Sequence, residues 1–177
     1  MANNRPVLAA LLIDALDDFK RSLDGLDCNE AERRLPGFSS ISWTVAHVAR
    51  TLDFWIISGM PGWTQNNYLA SSEFGFGGMG EGVEWDVVCR VLSEVLDKTR
   101  TFLQTVSEAD LAKESLYQGN IQGLRGKTIR EDYWLARAIA HTYYHIGEIT
   151  TVRAAMGHKV AGFPGLLRMS LETRETG

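Results

Sequence analysis

Apolar residues recur at helical spacing in four long stretches of this chain, separated by segments rich in glycine and polar side chains. In the first, Leu8, Leu12, Ala15, Leu16, Phe19, Leu23 and Leu26 fall on one stripe with Asp14, Asp17, Asp18, Lys20 and Arg21 between them, which predicts an amphipathic helix. Asn3 or Asn4 is placed to cap it, Pro6 fits its first turn and Gly25 marks its end. Asp27 to Gly37 reads as a polar connection with one helical turn at Asn29 to Arg34. A second long helix begins at Ser39, Ser40 or Ser42. It carries Ile41, Val45, Val48, Leu52, Trp55 and Ile56 on one side and Trp43, His47 and Phe54 on a neighbouring one. Apolar around most of its circumference, it belongs at the centre of a bundle.

Residues 57 to 82 break the periodicity, interleaving Gly59, Gly62, Gly75, Gly77, Gly78, Gly80 and Gly82 with Trp63, Tyr68, Phe74 and Phe76. A connection of this length and aromatic content either packs across a surface or pocket mouth or is a plain crossover. Val83 to Val106 predicts a third long helix. Its stripe is Val87, Val88, Val91, Leu92, Val95, Leu96, Phe102, Leu103 and Val106, with Cys89 as packing material. Ser107 to Asp110 has the form of an N-cap and acidic first turn, so a short helix follows through Lys113. Leu116 to Lys127, with Gly119, Gly123 and Gly126, reads as a loop or short hairpin. Thr128 and Glu131 then form a capping box for a fourth long helix running to Met156 and stopped by Gly157. Beyond it, Leu166 to Glu172 has a further helical pattern within a tail that folds back over the bundle. No internal repeat or dinucleotide-binding glycine fingerprint is present.

The 177 residues suit one domain, 1–177, with a full core, and 45% hydrophobic against 23% charged residues is ordinary globular composition. With 18 basic and 22 acidic residues the net charge of −4 gives no electrostatic reason to expect nucleic acid or an anionic membrane as partner. Cys28 and Cys89 lie far apart and outside any CxxC pattern, which points away from a disulfide framework and a cysteine-type zinc site and towards reduced thiols in a cytoplasm. The apolar run Val7 to Ile13 is short and meets Asp14 at once, against a secretory signal. No uninterrupted apolar segment is long enough to span a bilayer.

The chemistry concentrates in His141-Thr142-Tyr143-Tyr144-His145-Ile146-Gly147-Glu148, inside the fourth long helix. Residues four apart on a helix differ by about 40° in azimuth and roughly 6 Å along the axis, so both imidazoles leave one face and can bind one metal ion. The alternative is two histidines on a partly solvated face. Glu148 returns to the same stripe and can serve as a third ligand, a base or an orienting carboxylate. His47, on the central second helix, needs a partner for each ring nitrogen. Either it is a core histidine satisfied by a hydroxyl or carbonyl, or it completes a three-histidine site with an open position for water or substrate. His158 sits in the helix-end region, solvated or capping. HExxH is absent because Thr142 follows His141, and the paired Glu-x-x-His motifs of di-iron bundles are absent too.

Two motifs resemble those of a known family. Ser-Ile-Ser-Trp-Thr-Val-Ala-His47 is similar to the second-helix motif of the DinB-like (damage-inducible, YfiT-related) metalloenzymes, and His141-Thr-Tyr-Tyr-His145-Ile-Gly-Glu-Ile to their fourth-helix motif. The likeness extends in order and spacing from about Leu8 to Gly165. It implies an all-α four-helix bundle with up-down-down-up connectivity, frequent homodimers, and a divalent zinc, nickel or iron ion held by His47, His141 and His145. Glu148 stands where many members carry glutamine or histidine. Some relatives are thiol-dependent transferases or isomerases, so the resemblance implies a metal-dependent thiol S-transferase acting on a small molecule with a low-molecular-weight thiol; Glu148 or Tyr144 can assist proton transfer, although helix packing is the favoured reading of Tyr144. A metal-dependent hydrolase and a noncatalytic metal-binding dimeric module are the alternatives, and a pocket reaching the metal from solvent would distinguish an enzyme from the module.

Overall fold

The computed structural model describes residues 5–118, 121–160, 162–165 and 167. The chain is mostly helical: α1 (Val7–Ser22), α2 (Cys28–Glu32), α3 (Ile41–Leu52), α4 (Trp85–Thr105), α5 (Glu108–Leu111) and α6 (Asp132–Ala155). The wholly α expectation needs one amendment, since β1 (Glu114–Leu116) and β2 (Thr128–Arg130) form a two-stranded antiparallel sheet with Ser115 opposite Ile129. That pairing overturns the expected capping box on α6. Thr128 is committed to β2, the Glu131 amide donates to the Lys113 carbonyl at 2.9 Å, and the helix begins at Asp132 with no side-chain cap.

The other helix boundaries follow local chemistry. Ser40 caps α3, its hydroxyl accepting the Trp43 amide at 3.2 Å, and Ser107 and Asp110 form a reciprocal capping box on α5. Asp27 and Glu30 do the same for α2. Pro6 stands just before α1 rather than inside its first turn, where its missing N–H costs nothing. Asn3 and Asn4 lie outside the described residues, as does the Leu166 to Glu172 pattern apart from Leu167. Gly157 follows α6 at φ 92°, a left-handed conformation that a side chain would strain.

Helix α1 packs along α6, α3 packs on both α4 and α6, and α1 also touches α4. The apolar stripes of all four meet in one core, with Leu16, Phe19, Ile41, Leu52, Leu103 and Ile146 fully buried. Polar contacts fix the pairings. Tyr143 on α6 donates its hydroxyl proton to Asp18 on α1 at 3.0 Å, and Arg100 on α4 reaches Asp17 at 2.6 Å. Buried Arg153 on α6 donates to the carbonyls of Ser22 and Asp24 at the end of α1, at 2.5 and 2.7 Å.

After α3 the helix continues as a π-helical turn, Asp53–Ser58, before the long connection begins. That connection is pinned along α3. Arg50 donates to the Leu69 carbonyl at 3.2 Å, the Trp43 indole N–H to the Glu73 carbonyl at 3.0 Å, and the Ser40 amide to the Gly80 carbonyl at 3.0 Å. Gly78 lies so close that a Cβ there would collide with the Glu73 carbonyl oxygen and approach the Trp43 ring to 2.8 Å. Its fold-back brings Phe74, in the short 3-10 turn Ser72–Phe74, over the middle of α3.

Candidate metal centre

The tight end of this arrangement is a cluster of imidazoles. His47 projects from α3, and His141 and His145 from successive turns of α6. His47 Nε2 lies 3.1 Å from His141 Nε2, and His145 Nε2 lies 3.3 Å from the same atom. All three donor atoms fall within 4.8 Å of one another. His158 is elsewhere, with Nε2 2.8 Å from Glu30 Oε1 on α2.

Two of the three outer nitrogens, those of His47 and His145, are held by acceptors. The Phe74 carbonyl can only accept, so His47 Nδ1–H donates to it at 2.7 Å and Nε2 keeps its lone pair. Likewise His145 Nδ1–H donates to the Glu148 carboxylate at 2.8 Å, so in the neutral ring Nε2 is the atom that carries the lone pair. Two lone pairs therefore face His141 Nε2, which has at most one proton to share between them. A protonated imidazole would relieve the conflict, but burial opposes it. Desolvation first, then the neighbouring charges of His145, His47 and Arg137, push the His141 pKa down to about 3. Desolvation lowers His47 too, against the raising effect of its bond to Phe74. Three imidazoles facing one point suit a divalent cation. Nitrogens at tetrahedral zinc, with bonds of about 2.05 Å, lie about 3.3 Å apart, close to the two separations from His141.

Aromatic rings hold the cluster in place. Trp43 stacks on His47 with centroids 5.1 Å apart and planes 8° from parallel. Trp55 meets His141 edge-on at 5.5 Å, and exposed Tyr144 sets its ring perpendicular to His145 at 4.9 Å. Tyr144 thus lies on the surface rather than among packed helix side chains. Glu148 occupies the side of His145 away from His141, and His145 itself is 6% exposed.

A cavity of about 610 Å³ opens onto His47 and His141, walled by Phe54, Trp55, Phe74 and Phe76 and bearing Arg50 and Arg137. The long glycine-rich connection supplies part of that wall, so it is a pocket-lining element and not a mere crossover. A shallower groove of about 800 Å³ runs between α6 and the tail at Val160, Phe163 and Pro164. It contains no histidine, so the smaller cavity is the one with chemistry. Nothing in the periodicity marks the Phe74 carbonyl as a histidine partner. Arg50 and Arg137 were legible only as residues one turn from His47 and His141.

No curated protein and no solved structure matches the chain. A match does exist at the level of family. Residues 11–149 match the family model of the DinB superfamily, and the chain belongs to that superfamily.

Proposed function

We propose that His47, His141 and His145 bind one divalent ion, zinc or nickel in preference to iron, and that the chain is a metal-dependent thiol S-transferase or related small-molecule transferase. The observation that carries this reading is the convergence of three Nε2 atoms, two of them on histidines, His47 and His141, that line an open cavity. A divalent ion held there supplies Lewis acidity, which lowers the pKa of a coordinated thiol or water. The remaining work belongs to the chain. Phe74 and Glu148 hold the outer nitrogens of His47 and His145, Trp43 braces the His47 ring, and Phe54, Trp55 and Phe76 present apolar surface to the substrate body. Glu148, with its bond to His145, is a positioning residue in this reading. The open cavity favours a catalyst over a noncatalytic module. Hydrolysis by activated water uses the same three nitrogens and is the competing reaction.

The proposed architecture is a four-helix bundle with up-down-down-up connectivity. Arg50 follows His47 in α3 and Arg137 precedes His141 in α6, yet both line one cavity, as antiparallel α3 and α6 require. We also propose a cytoplasmic homodimer. Exposed Trp63, Phe76 and Tyr144 support a covered surface, and among the described residues no helix is long and apolar enough to cross a membrane. Sedimentation as a monomer across micromolar concentrations would refute the dimer.

The test of function is cobalt substitution. Cobalt-loaded protein should show a tetrahedral-type visible spectrum and gain a sulfur-to-metal charge-transfer band when a low-molecular-weight thiol is added. A cobalt spectrum unmoved by any thiol would remove the transferase reading, and failure to take up cobalt, zinc or nickel would remove the metal.

A further inference from the structure

The cavity wall is cationic in a protein whose acidic residues outnumber its basic ones. Arg50 and Arg137 line it, and among the described residues no aspartate or glutamate does. Four other arginines (Arg21, Arg34, Arg100 and Arg130) are held in ion pairs, but among the described residues neither Arg50 nor Arg137 has a carboxylate within ion-pair distance. Each donates a hydrogen bond to a neutral group: Arg50 to the Leu69 carbonyl at 3.2 Å, and Arg137 to the Tyr133 hydroxyl at 3.2 Å. The Arg137 guanidinium also lies over Trp55, 4.8 Å from the ring centroid, and among the described residues its buried Nε has no hydrogen-bond partner. Asp53, three residues beyond Arg50, feels its charge but is fully buried, accepts the Asn66 amide and stays off the cavity wall.

Both cations sit one helical turn from a triad histidine. Arg50 is three residues past His47 and Arg137 four before His141, offsets of roughly 4.5 and 6 Å along their helices. A guanidinium presents a planar fork of N–H donors that matches a carboxylate, and a partly desolvated site strengthens the attraction. The leaning of Arg137 on Trp55 fixes its plane in advance, so little side-chain freedom is lost when an anion arrives.

We propose that Arg50 and Arg137 recognise a carboxylate, so that the small molecule delivered to the histidines is an organic acid with an apolar or aromatic body. The two cations set its orientation: the acid group lies against the arginines, the body against Trp55 and the phenylalanines, and the part nearest His47 and His141 is the part exposed to reaction. This rests on the reading of the histidines as the reactive centre, but recognition of the acid does not require a metal.

The test uses metal-free protein, so that a carboxylate bound to metal cannot mimic recognition by arginine. Benzoate and its uncharged counterpart benzamide are titrated calorimetrically into the wild type and into Arg50→Gln, Arg137→Gln, Arg50→Lys and Arg137→Lys. Wild type should bind benzoate about tenfold more tightly than benzamide, with the preference falling as salt is added. Either glutamine variant should lose most of that preference, and the lysine variants should keep part of it. Equal affinity for the two probes, no binding of benzoate, or an undiminished preference in both glutamine variants would overturn the proposal. The wild-type comparison decides even if a variant misfolds. Zinc titration of the same preparations separates the two readings: benzoate selectivity without zinc uptake removes the metal and keeps the acid site, and zinc uptake without selectivity does the reverse.

Discussion

Replacing Glu148 with alanine is the most informative single change, because the residue's three possible roles give three different outcomes. Its carboxylate accepts the His145 Nδ1 proton at 2.8 Å, and the two side chains are 25% and 8% exposed. Removing a partner that orients a metal-binding histidine typically weakens metal binding about 10- to 100-fold. Glu148 is open enough for water to take its place, while His145 is too enclosed to turn far, so the lower end applies: about tenfold, or about 1.4 kcal/mol. The assay is competition for zinc against a chromophoric chelator, with His141→Ala as the reference for loss of a ligand. Glu148→Gln, which keeps an acceptor and removes the charge, should fall between wild type and Glu148→Ala. A Glu148→Ala affinity equal to wild type would show that the carboxylate positions nothing, and a loss as large as that of His141→Ala would make Glu148 a ligand. Either result refutes the positioning role.

Three further outcomes are expected. His141→Ala should abolish tight zinc binding measured by equilibrium dialysis while His158→Ala leaves it intact, since the His158 bond to Glu30 lies outside the cluster; parity of the two variants would refute the three-histidine site. The folded-state pKa values of His47 and His141 lie below the ordinary 6.5, so the unfolded chain binds more protons; their contribution to stability is present above pH 6.5 and is lost as pH falls towards the folded value, which is about 3 for His141. Urea midpoints of metal-free protein should therefore drop below pH 6.5, by at most about 1.4 kcal/mol per pH unit for each histidine, and less steeply in His141→Gln; identical slopes would contradict this. Arg153→Met strands the Ser22 and Asp24 carbonyls and should lower stability by about 2 kcal/mol in urea denaturation, an expectation refuted by an unchanged midpoint.

Much of this was readable in the residues because the signals were local. The four long helical stripes, the Ser40 and Ser107 caps and the Gly157 stop depend on neighbours within a turn or so, and they stand where their spacing predicts. His141 and His145 face one point because helical geometry leaves them no other choice. Thr128 and Glu131 misled because a capping pattern is also a plausible strand end, and the competing partner, β1, lies over ten residues upstream. The outer partner of His47 was narrowed to a hydroxyl or carbonyl by chemistry alone. That it is Phe74 depends on the path of a glycine-rich connection with no periodicity to read. The cationic cavity was hidden for a similar reason, since Arg50 and Arg137 belong to different helices and only packing brings them onto one wall.

The bond from His47 to the Phe74 main chain bears on how such a site can diversify. A carbonyl oxygen is present whatever residue stands at position 74, so the anchor for the imidazole does not depend on the phenylalanine ring. The ring, together with that of Phe76, shapes the cavity wall. Anchoring and selectivity thus occupy the same turn through different atoms. Exposed Phe76 can be exchanged while His47 keeps its tautomer, whereas buried Phe74 also packs in the core and a smaller side chain there would leave a cavity, and Gly78 must still let the backbone lie against Trp43. The shape of the cavity can therefore change without dismantling the histidine cluster.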